Sequence, residues 1–536
     1  MIDHDGLLAR YREDVQRRGA RAAYDALLQA VLDGHASGDD WEAIALGMLK
    51  QGMPGAVVAL AEEGLARHPN LVGLRYHLGN ALRMIGERQA AERELRAVLA
   101  VQPAHAGALA SLANLLRGEG RLQAAAQVAL EGMPVLPDLA RIRETLVFLR
   151  ECEAVRPALE LAQAALRDAP EDAELHGVAG ELAAELGRFE QARVHLRRAV
   201  ALQPEFASGC LRLAGVHAFR SGDEPDAKAI ELAARSLPIE GDAGLAARFA
   251  WAKVLADLGD LAGAAQQLRK SNAAMRLRMQ WSASGFDAFI NRQIGIPPPT
   301  PVAKRLEFTP VLIVGLPRTG TTLVASLLER HPQVRSRGEL NWLSELALHV
   351  ETGARAPAKL TEAAAFYVAQ LRRDDAPARV IIDKNPLNFR HLGMASALLP
   401  GVRVIHCRRD ARDTALSIFR QMFAHRDNGY AYAFEDIVAF SRGEARLMEH
   451  WRGTLSVPMI DVDYERLVRD TDGVLAELLQ FLGLGSASLS AKSATPIRTA
   501  SVWQARQPVH ARAVDAWKAW APHLPELANV IPEQRP

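Results

Sequence analysis

Two patterns of apolar and polar positions divide the chain. Before about residue 286, prolines recur at steps of 34, 34, 33, 34 and 34 residues, and small residues recur with them. After that point the period stops, and short apolar runs such as 311–314 are followed by polar turns. The first pattern predicts repeated pairs of helices, and the second predicts buried strands that alternate with helices.

Each repeat is predicted to contain a helix, a turn, a second helix and a stop. An alanine lies twelve residues before four of the prolines, and a glycine lies seventeen residues before three of them. The glycine would end the first helix, and the proline would block continuation of the second. Glu153 and Ser221 replace the turn glycine in two repeats. The prolines are Pro69, Pro103, Pro137, Pro170, Pro204 and Pro238.

Over about residues 38–275 this pattern resembles the tetratricopeptide repeat family. The resemblance implies an α-helical solenoid whose concave face binds a protein or peptide; a packing or dimerisation scaffold without a ligand is the alternative. Residues 1–37 are predicted to be an N-terminal helical segment and 38–285 the repeat domain. A homo-oligomer is left open.

The second pattern predicts a separate α/β domain over residues 309–536, after a proline-rich linker at 286–308. Its apolar runs predict a mainly parallel sheet flanked by helices. Ligands of such sheets gather at the carboxyl ends of the strands. The predicted strands lie near 311–314, 379–383, 402–406 and 457–462.

Composition narrows the functional classes. The net charge of +1 provides no global field that would attract nucleic acid, and no apolar stretch approaches the roughly 20 residues of a membrane span. Three widely separated cysteines suit a reducing compartment, so we expect a cytoplasmic protein. No metal site is expected, because His331, His406 and His425 lack ligand spacing.

A phosphate-binding loop is predicted between the strand at 311–314 and a helix at about 321–330. Backbone amides at the start of a helix attract anions, and Gly315 and Gly320 keep this loop clear of side chains. The glycine spacing matches the nucleotide-triphosphate P-loop, but Thr321 stands where that motif requires lysine, which argues against a kinase. The residues predicted to bind the anion are Pro317, Arg318, Thr319, Gly320, Thr321 and Thr322.

The PRTGTT sequence of this loop resembles sulfotransferases, most closely the tyrosylprotein sulfotransferases. The resemblance implies the donor 3′-phosphoadenosine 5′-phosphosulfate (PAPS), no metal and a P-loop-like fold. It assigns Arg318 to the 5′-phosphosulfate. Arg409 and Ser417, eight residues apart, match the arginine and serine that hold the 3′-phosphate, and we expect this serine at the start of a helix.

Catalytic residues are implied by the same resemblance. Glu339, twenty-one residues after Arg318, matches the general base, and Lys384 in IIDKNP matches the lysine that stabilises the departing phosphate oxygen. Arg318 is predicted to share that stabilising role. Tyr464 and Ser501 match residues that contact the donor. The alternatives are a surface or helix-capping role for Glu339, a solvated strand end for Lys384, and ordinary core or loop roles for the last two.

The acceptor is not identified by the sequence. In the protein-tyrosine enzymes an arginine lies two places after the catalytic glutamate and receives acidic peptide, whereas this chain has Asn341 there. A tyrosine of a protein or peptide, a saccharide, a lipid and a small-molecule hydroxyl therefore all stay open. A non-catalytic repeat adaptor with a degenerate nucleotide-binding domain is the rival class.

Overall fold

The contacts within the chain divide it into two units, Met1–Ala154 and Val155–Pro536. The structure, a computed structural model, describes residues 3–133, 138–206, 208–301, 305–352, 357–373, 378–423, 426–485 and 511–530. No helix in these ranges combines the length and apolar character needed to cross a membrane.

Paired helices build the first unit, as the repeat pattern predicts. Each helix buries one apolar face; Trp41, Ile44 and Met48, for example, are buried on one helix that starts at a capping box between Ser37 and Asp40. The helices described in this unit are α1 (His4–Arg18), α2 (Ala20–Asp33), α3 (Gly38–Lys50), α4 (Pro54–Arg67), α5 (Val72–Met84), α6 (Arg88–Val101), α7 (Ala106–Gly118), α8 (Leu122–Glu131) and α9 (Leu139–Glu151).

The second unit begins with further helix pairs. The described helices that precede its sheet are α10 (Val155–Asp168), α11 (Ala173–Glu185), α12 (Phe189–Leu202), α13 (Gly209–Gly215), α14 (Pro225–Ser236), α15 (Asp242–Asp257), α16 (Leu261–Arg278) and α17 (Ala283–Gly295). The predicted repetition of paired helices is confirmed.

The predicted turn glycines between paired helices all have the expected backbone, and the two positions without glycine differ from each other. Gly86, Gly120 and Gly187 all have positive φ angles, which glycine adopts without steric cost. Glu153, which replaces the turn glycine, keeps the same left-handed backbone at φ 56°. Ser221 does not, because α13 is short and a longer connection leads to α14. The turn geometry therefore survives one loss of glycine and changes at the other.

A five-stranded parallel sheet is described in the second unit, with strand order β2-β3-β1-β4-β5. The strands are β1 (Thr309–Gly315), β2 (Val334–Ser336), β3 (Val380–Asp383), β4 (Arg403–Arg408) and β5 (Met459–Asp463). The central strands are buried almost throughout, which explains their continuous apolar runs. Four strands confirm the predicted ones, and the short edge strand β2 was not predicted.

Helices cover the sheet, so the predicted α/β class is confirmed. Those described are α18 (Thr321–Leu328), α19 (Trp342–Thr352), α20 (Pro357–Arg372), α21 (Leu392–Leu398), α22 (Ala411–Phe419), α23 (Phe434–Thr454), α24 (Tyr464–Arg469), α25 (Thr471–Phe481) and α26 (Trp517–Trp520). Short 3-10 helices occupy Pro386–His391, Arg426–Tyr432, Ala511–Ala513 and Pro525–Asn529.

Helix α17 occupies the first ten residues of the segment predicted to be a linker, 286–295. Its Phe286 ring stacks on Phe440 of α23 with ring centroids 4.5 Å apart, and Ile290 is fully buried. The helix that follows the repeat pattern is thus packed against the α/β part. The domain boundaries at residues 38, 286 and 309 stay predictions.

Candidate active site

The loop that follows β1 has the geometry of an anion site. A β-carbon at Gly315 would collide with the carbonyl oxygen of Cys407, and Gly320 has a φ of 96° with the Tyr464 ring close beside it. Within the loop, the Thr319 hydroxyl donates to the Leu316 carbonyl over 2.7 Å. These constraints hold the backbone amides at the start of α18 in position to bind an anion.

Arg318 has a left-handed backbone, with a φ of 74°. Its Nε donates to Ser417 Oγ over 3.0 Å, and its carbonyl accepts from Arg409 Nη1 over 3.1 Å. Burial, followed by the nearby charges of Arg409 and Arg420, lowers the pKa of Arg318 to about 10. Several positive groups therefore lie close together in a buried environment.

Arg409 lies directly after β4 and links three elements. Its Nη2 donates to the Ala513 carbonyl over 2.6 Å, and its guanidinium lies 4.8 Å from the centre of the Tyr464 ring. Its Nε is buried and has no hydrogen-bond partner among the described residues. A buried donor without a partner is costly, and an anion bound here would satisfy it.

Ser417 lies in the last turn of α22, so the prediction that it stands at the start of a helix is wrong. The start of that helix is occupied by Asp410, whose carboxylate accepts from the backbone amides of Arg412 and Asp413. Ser417 instead joins the site through the side chain of Arg318. Residues assigned to two different phosphates are thus in direct contact.

The residues described so far follow β1 and β4 and form one edge of the site. A second edge follows β3. Lys384 is 2% exposed, its amide donates to the Gly338 carbonyl over 2.8 Å, and its Nζ donates to Glu339 Oε1. The Glu339 side chain remains 40% exposed. The candidate base and the candidate charge stabiliser therefore form an ion pair, with the lysine buried and the carboxylate open to solvent.

Asp383 supports this edge and was missed by the sequence interpretation. Its carboxylate accepts from the Leu340 amide over 3.3 Å, from the Tyr367 hydroxyl over 2.5 Å and from Asn388 Nδ2 over 3.0 Å. Burial raises the pKa of Asp383 to about 6, although these donors oppose the shift. The network ties the loop that carries Glu339 to the end of β3. An aspartate at the end of an apolar strand, next to Lys384, was the signal available in the sequence.

Beyond Glu339, the surface is polar and then aromatic. Asn385 Nδ2 donates to the Leu340 carbonyl over 2.9 Å and lies 3.4 Å from Asn341 Oδ1. Trp342 is 37% exposed, and its ring meets the edge of Phe366 with centroids 5.1 Å apart. An acceptor that approaches Glu339 would meet an amide and an indole here.

The two edges belong to one site because β1 pairs with both β3 and β4. Leu312 is in register with Asp383, and Gly315 is in register with Cys407. The charge of Glu339 also acts on the pKa of Arg318, which it raises against the stronger lowering effects. The carboxyl ends of adjacent strands thus bring together the residues that the sequence predicts.

The other predicted residues have varied positions. Pro317, Thr319 and Thr321 are buried in the loop, whereas Thr322 is partly exposed. Tyr464 begins α24 beneath Arg409. Ser501 lies outside the described residues.

His406 has a structural environment. It is buried on β4, with Glu444 2.7 Å from Nε2 and Asp461 3.0 Å from Nδ1. Burial opposes protonation of this ring, but the two carboxylates outweigh it and raise the pKa of His406 to about 9. The histidine is therefore a buried cation that joins β4 to β5 and α23.

Two curated relatives match part of the chain. An uncharacterized protein of Aquifex aeolicus is 26% identical over 399 residues, which span 69% of this chain and 52% of that protein. A protein-tyrosine sulfotransferase of Drosophila melanogaster is 24% identical over 202 residues, which span 33% of this chain and 38% of the relative. The chain therefore spans about half or less of the length of these relatives.

The α/β part carries the family match. Among solved structures, the sulfotransferase domain of the Synechococcus PCC 7002 olefin synthase is 21% identical and aligns over 43% of this chain and 97% of its own, with a TM-score of 0.32. The model of the sulfotransferase family matches residues 310–487, a segment that contains all but the first residue of β1 together with the phosphate loop, Glu339, Lys384 and Arg409. Residues 310–487 are therefore the part of this chain that is similar to the sulfotransferase family.

Proposed function

We propose that this chain is an enzyme that transfers a sulfuryl group from PAPS to an acceptor hydroxyl. One observation carries the proposal: inside the segment that matches the sulfotransferase family, Arg318, Ser417 and Arg409 meet beside a phosphate loop that lacks the P-loop lysine. The family match supports sulfuryl transfer in general. The second basic group supports a donor that carries a second phosphate.

The described residues fit such a donor. The loop amides at the start of α18 suit one anionic group. The buried, unpartnered Nε of Arg409 and the hydroxyl of Ser417 suit another. The ring of Tyr464 lies between Gly320 and Arg409 and so connects the two positions. When bound, PAPS would supply the sulfuryl group, and 3′-phosphoadenosine 5′-phosphate (PAP) would leave.

The chain's own residues have complementary roles in the proposed reaction. Glu339 accepts the proton of the acceptor hydroxyl at Oε2, since Lys384 holds its Oε1. Lys384 and Arg318 provide positive charge where negative charge grows on the transferred group and the departing oxygen. Asp383 holds the loop that carries Glu339 beside Lys384, because its carboxylate accepts a hydrogen bond from the Leu340 amide.

The acceptor side favours a hydroxyl without a dense cluster of acidic groups. Asn341 stands two residues after the proposed base, and the exposed helix start beyond it carries Trp342 and Glu345 rather than arginine. An indole offers apolar contact to an aromatic or sugar ring. A protein tyrosine outside an acidic segment, a saccharide and a small molecule are the acceptor classes to be separated by experiment.

A labelled-donor assay tests the proposal. The full chain is incubated with sulfur-labelled PAPS and, separately, with pools of proteins, glycans and small molecules, while PAP binding is measured by calorimetry. Transfer to one pool supports the enzyme and identifies the acceptor class. Absence of both transfer and PAP binding would favour the adaptor with a degenerate nucleotide-binding domain.

We also propose that the helical repeats bind a protein or peptide. The support is the repeat pattern itself, since helical solenoids present extended binding surfaces. If the label is transferred to proteins, variants of the repeat surface can be compared on a whole protein and on a short peptide from it. A variant with weaker turnover on the whole protein but unchanged turnover on the peptide would identify a repeat residue that contacts the acceptor.

A further inference from the structure

Helix α16, the last helix of the repeat pattern, contributes a cap to a helix of the proposed donor site. Asn272 of α16 is 1% exposed, and its Nδ2 donates to the Phe419 carbonyl over 2.9 Å. Phe419 is the last residue of α22, and the final carbonyls of a helix lack partners within it. A side chain from the repeats thus satisfies one of these carbonyls.

Helix α22 is the helix that carries Ser417. The capped residue lies only two positions after it, so the position of the α22 terminus determines where the hydroxyl lies relative to Arg318. The next residue, Arg420, has its guanidinium 4.7 Å from the centre of the Trp520 ring. The end of α22 is therefore fixed from two sides by residues outside the phosphate loop.

A second connection runs from α16 to Arg409. Arg269 of α16 makes two hydrogen bonds to Glu526, at 3.2 and 2.9 Å. The described segment that contains Glu526, residues 511–530, provides the Ala513 carbonyl that Arg409 binds. The same segment donates the Asp515 and Trp517 amides to Asp413 on α22.

We propose that α16 is part of the donor site and that Asn272 is a positioning residue for the group that holds the donor's 3′-phosphate. The inference rests on the proposed function, because it takes Ser417 and Arg409 as ligands of that phosphate. It adds that the repeat segment influences donor affinity through the backbone of α22 and through the C-terminal segment.

Nucleotides that differ only in the 3′-phosphate test this inference. Calorimetry on the full chain compares PAP with adenosine 5′-monophosphate, which lacks that phosphate. The test variant is Asn272→Leu, which keeps the branched shape of the side chain, is somewhat larger and removes the donor to Phe419. Ser271→Ala is the matched control, since Ser271 is a buried neighbour on α16. The free energy of unfolding of each variant is measured in parallel.

The expected result is selective. Asn272→Leu should weaken PAP binding about 3- to 10-fold, the effect of one misplaced hydrogen bond, and leave binding of adenosine 5′-monophosphate unchanged. Ser271→Ala should change neither. Arg269→Ala, a surface change that the fold tolerates, should weaken PAP binding about 2-fold through the C-terminal segment.

Two outcomes overturn the inference, and they are distinguishable. If wild type binds PAP no better than adenosine 5′-monophosphate, the proposed 3′-phosphate site fails and the inference fails with it. If wild type discriminates and Asn272→Leu discriminates equally, Asn272 has only a structural role. Should Asn272→Leu not fold, Arg269→Ala decides: an unchanged preference for PAP then contradicts the inference.

Discussion

The two edges of the candidate active site are built differently. At the edge formed by β1 and β4, positive groups crowd together, the pKa of Arg318 falls to about 10 and Arg409 Nε has no described partner. At the edge formed by β3, Lys384 pairs with Glu339, and three donors satisfy Asp383. Among the described residues, the first edge keeps a buried donor without a partner, whereas Lys384, Glu339 and Asp383 at the second edge are all paired.

This difference implies separate tasks. An edge with unsatisfied donors gains most when an anion binds, so its residues should control nucleotide affinity. An edge whose charges are already paired has its reactive groups oriented in advance, so its residues should control turnover. Substitutions at the two edges should therefore have different kinetic signatures.

The largest effect is expected at Glu339, the proposed base. Glu339→Gln keeps the size of the side chain but removes proton acceptance, and should lower turnover by about 10² to 10⁴. PAP affinity should stay unchanged in calorimetry. Glu362→Gln, an exposed carboxylate on α20, is the control and should keep full turnover. Full turnover in Glu339→Gln would remove this residue from the role of base.

At the opposite edge, Arg409→Ala should weaken PAP binding about 10- to 100-fold, as expected for a charge-assisted contact. Binding of adenosine 5′-monophosphate should change little. Arg466→Ala, which removes a surface ion pair with Glu477, controls for loss of charge. Equal losses for both nucleotides would show that Arg409 does not recognise the 3′-phosphate.

A smaller effect is expected at Asp383, which supports the loop that carries Glu339. Asp383→Asn replaces an acceptor that serves three donors, and should lower turnover about 10-fold and stability by about 1–3 kcal/mol. Tyr367→Phe removes only one of those donors and should cost less. Stopped-flow turnover and denaturant unfolding measure the two effects. A loss of PAP affinity without a loss of turnover would contradict the division between the edges.

The smallest functional effect is expected at His406, whose side chain on β4 contacts Glu444 and Asp461 rather than the proposed donor and catalytic residues. Its folded pKa of about 9 exceeds its ordinary value of 6.5, so its stabilisation is complete below pH 6.5 and disappears as the pH rises to about 9. The second unit should lose on the order of 3 kcal/mol across that window. His406→Gln should reduce this slope, as followed by thermal unfolding, while PAP affinity at pH 6 is kept. An unchanged slope would show that a group other than His406 causes the pH dependence of stability.

Periodicity and composition were enough to predict the two-part architecture. Four strands were predicted from apolar runs, because a parallel strand is buried on both faces. The edge strand β2 is three residues long and only its Val334 is fully buried, so it left no such run. Helix α17 was not predicted beyond residue 285, because the prolines that follow it indicated a linker that begins at 286.

The site was predicted as a set of residues rather than as an arrangement. The sequence brought Arg318, Glu339, Lys384 and Arg409 to strand ends, and the structure places them there. It could not indicate that Arg318 would reach Ser417, because that contact depends on a left-handed backbone and on which turn of α22 faces the loop. Asn272 is 147 residues from the carbonyl it caps, a distance at which local pattern carries no information.

The stacking of Phe286 on Phe440 has a practical consequence for how this protein can be shortened. A chain that starts at residue 309, the predicted start of the α/β domain, would lack α17 and would expose to water an aromatic strip of α23 that includes Phe440. Such strips promote aggregation. Expression trials should therefore begin upstream of α16, and solubility should fall sharply once the starting point passes residue 286.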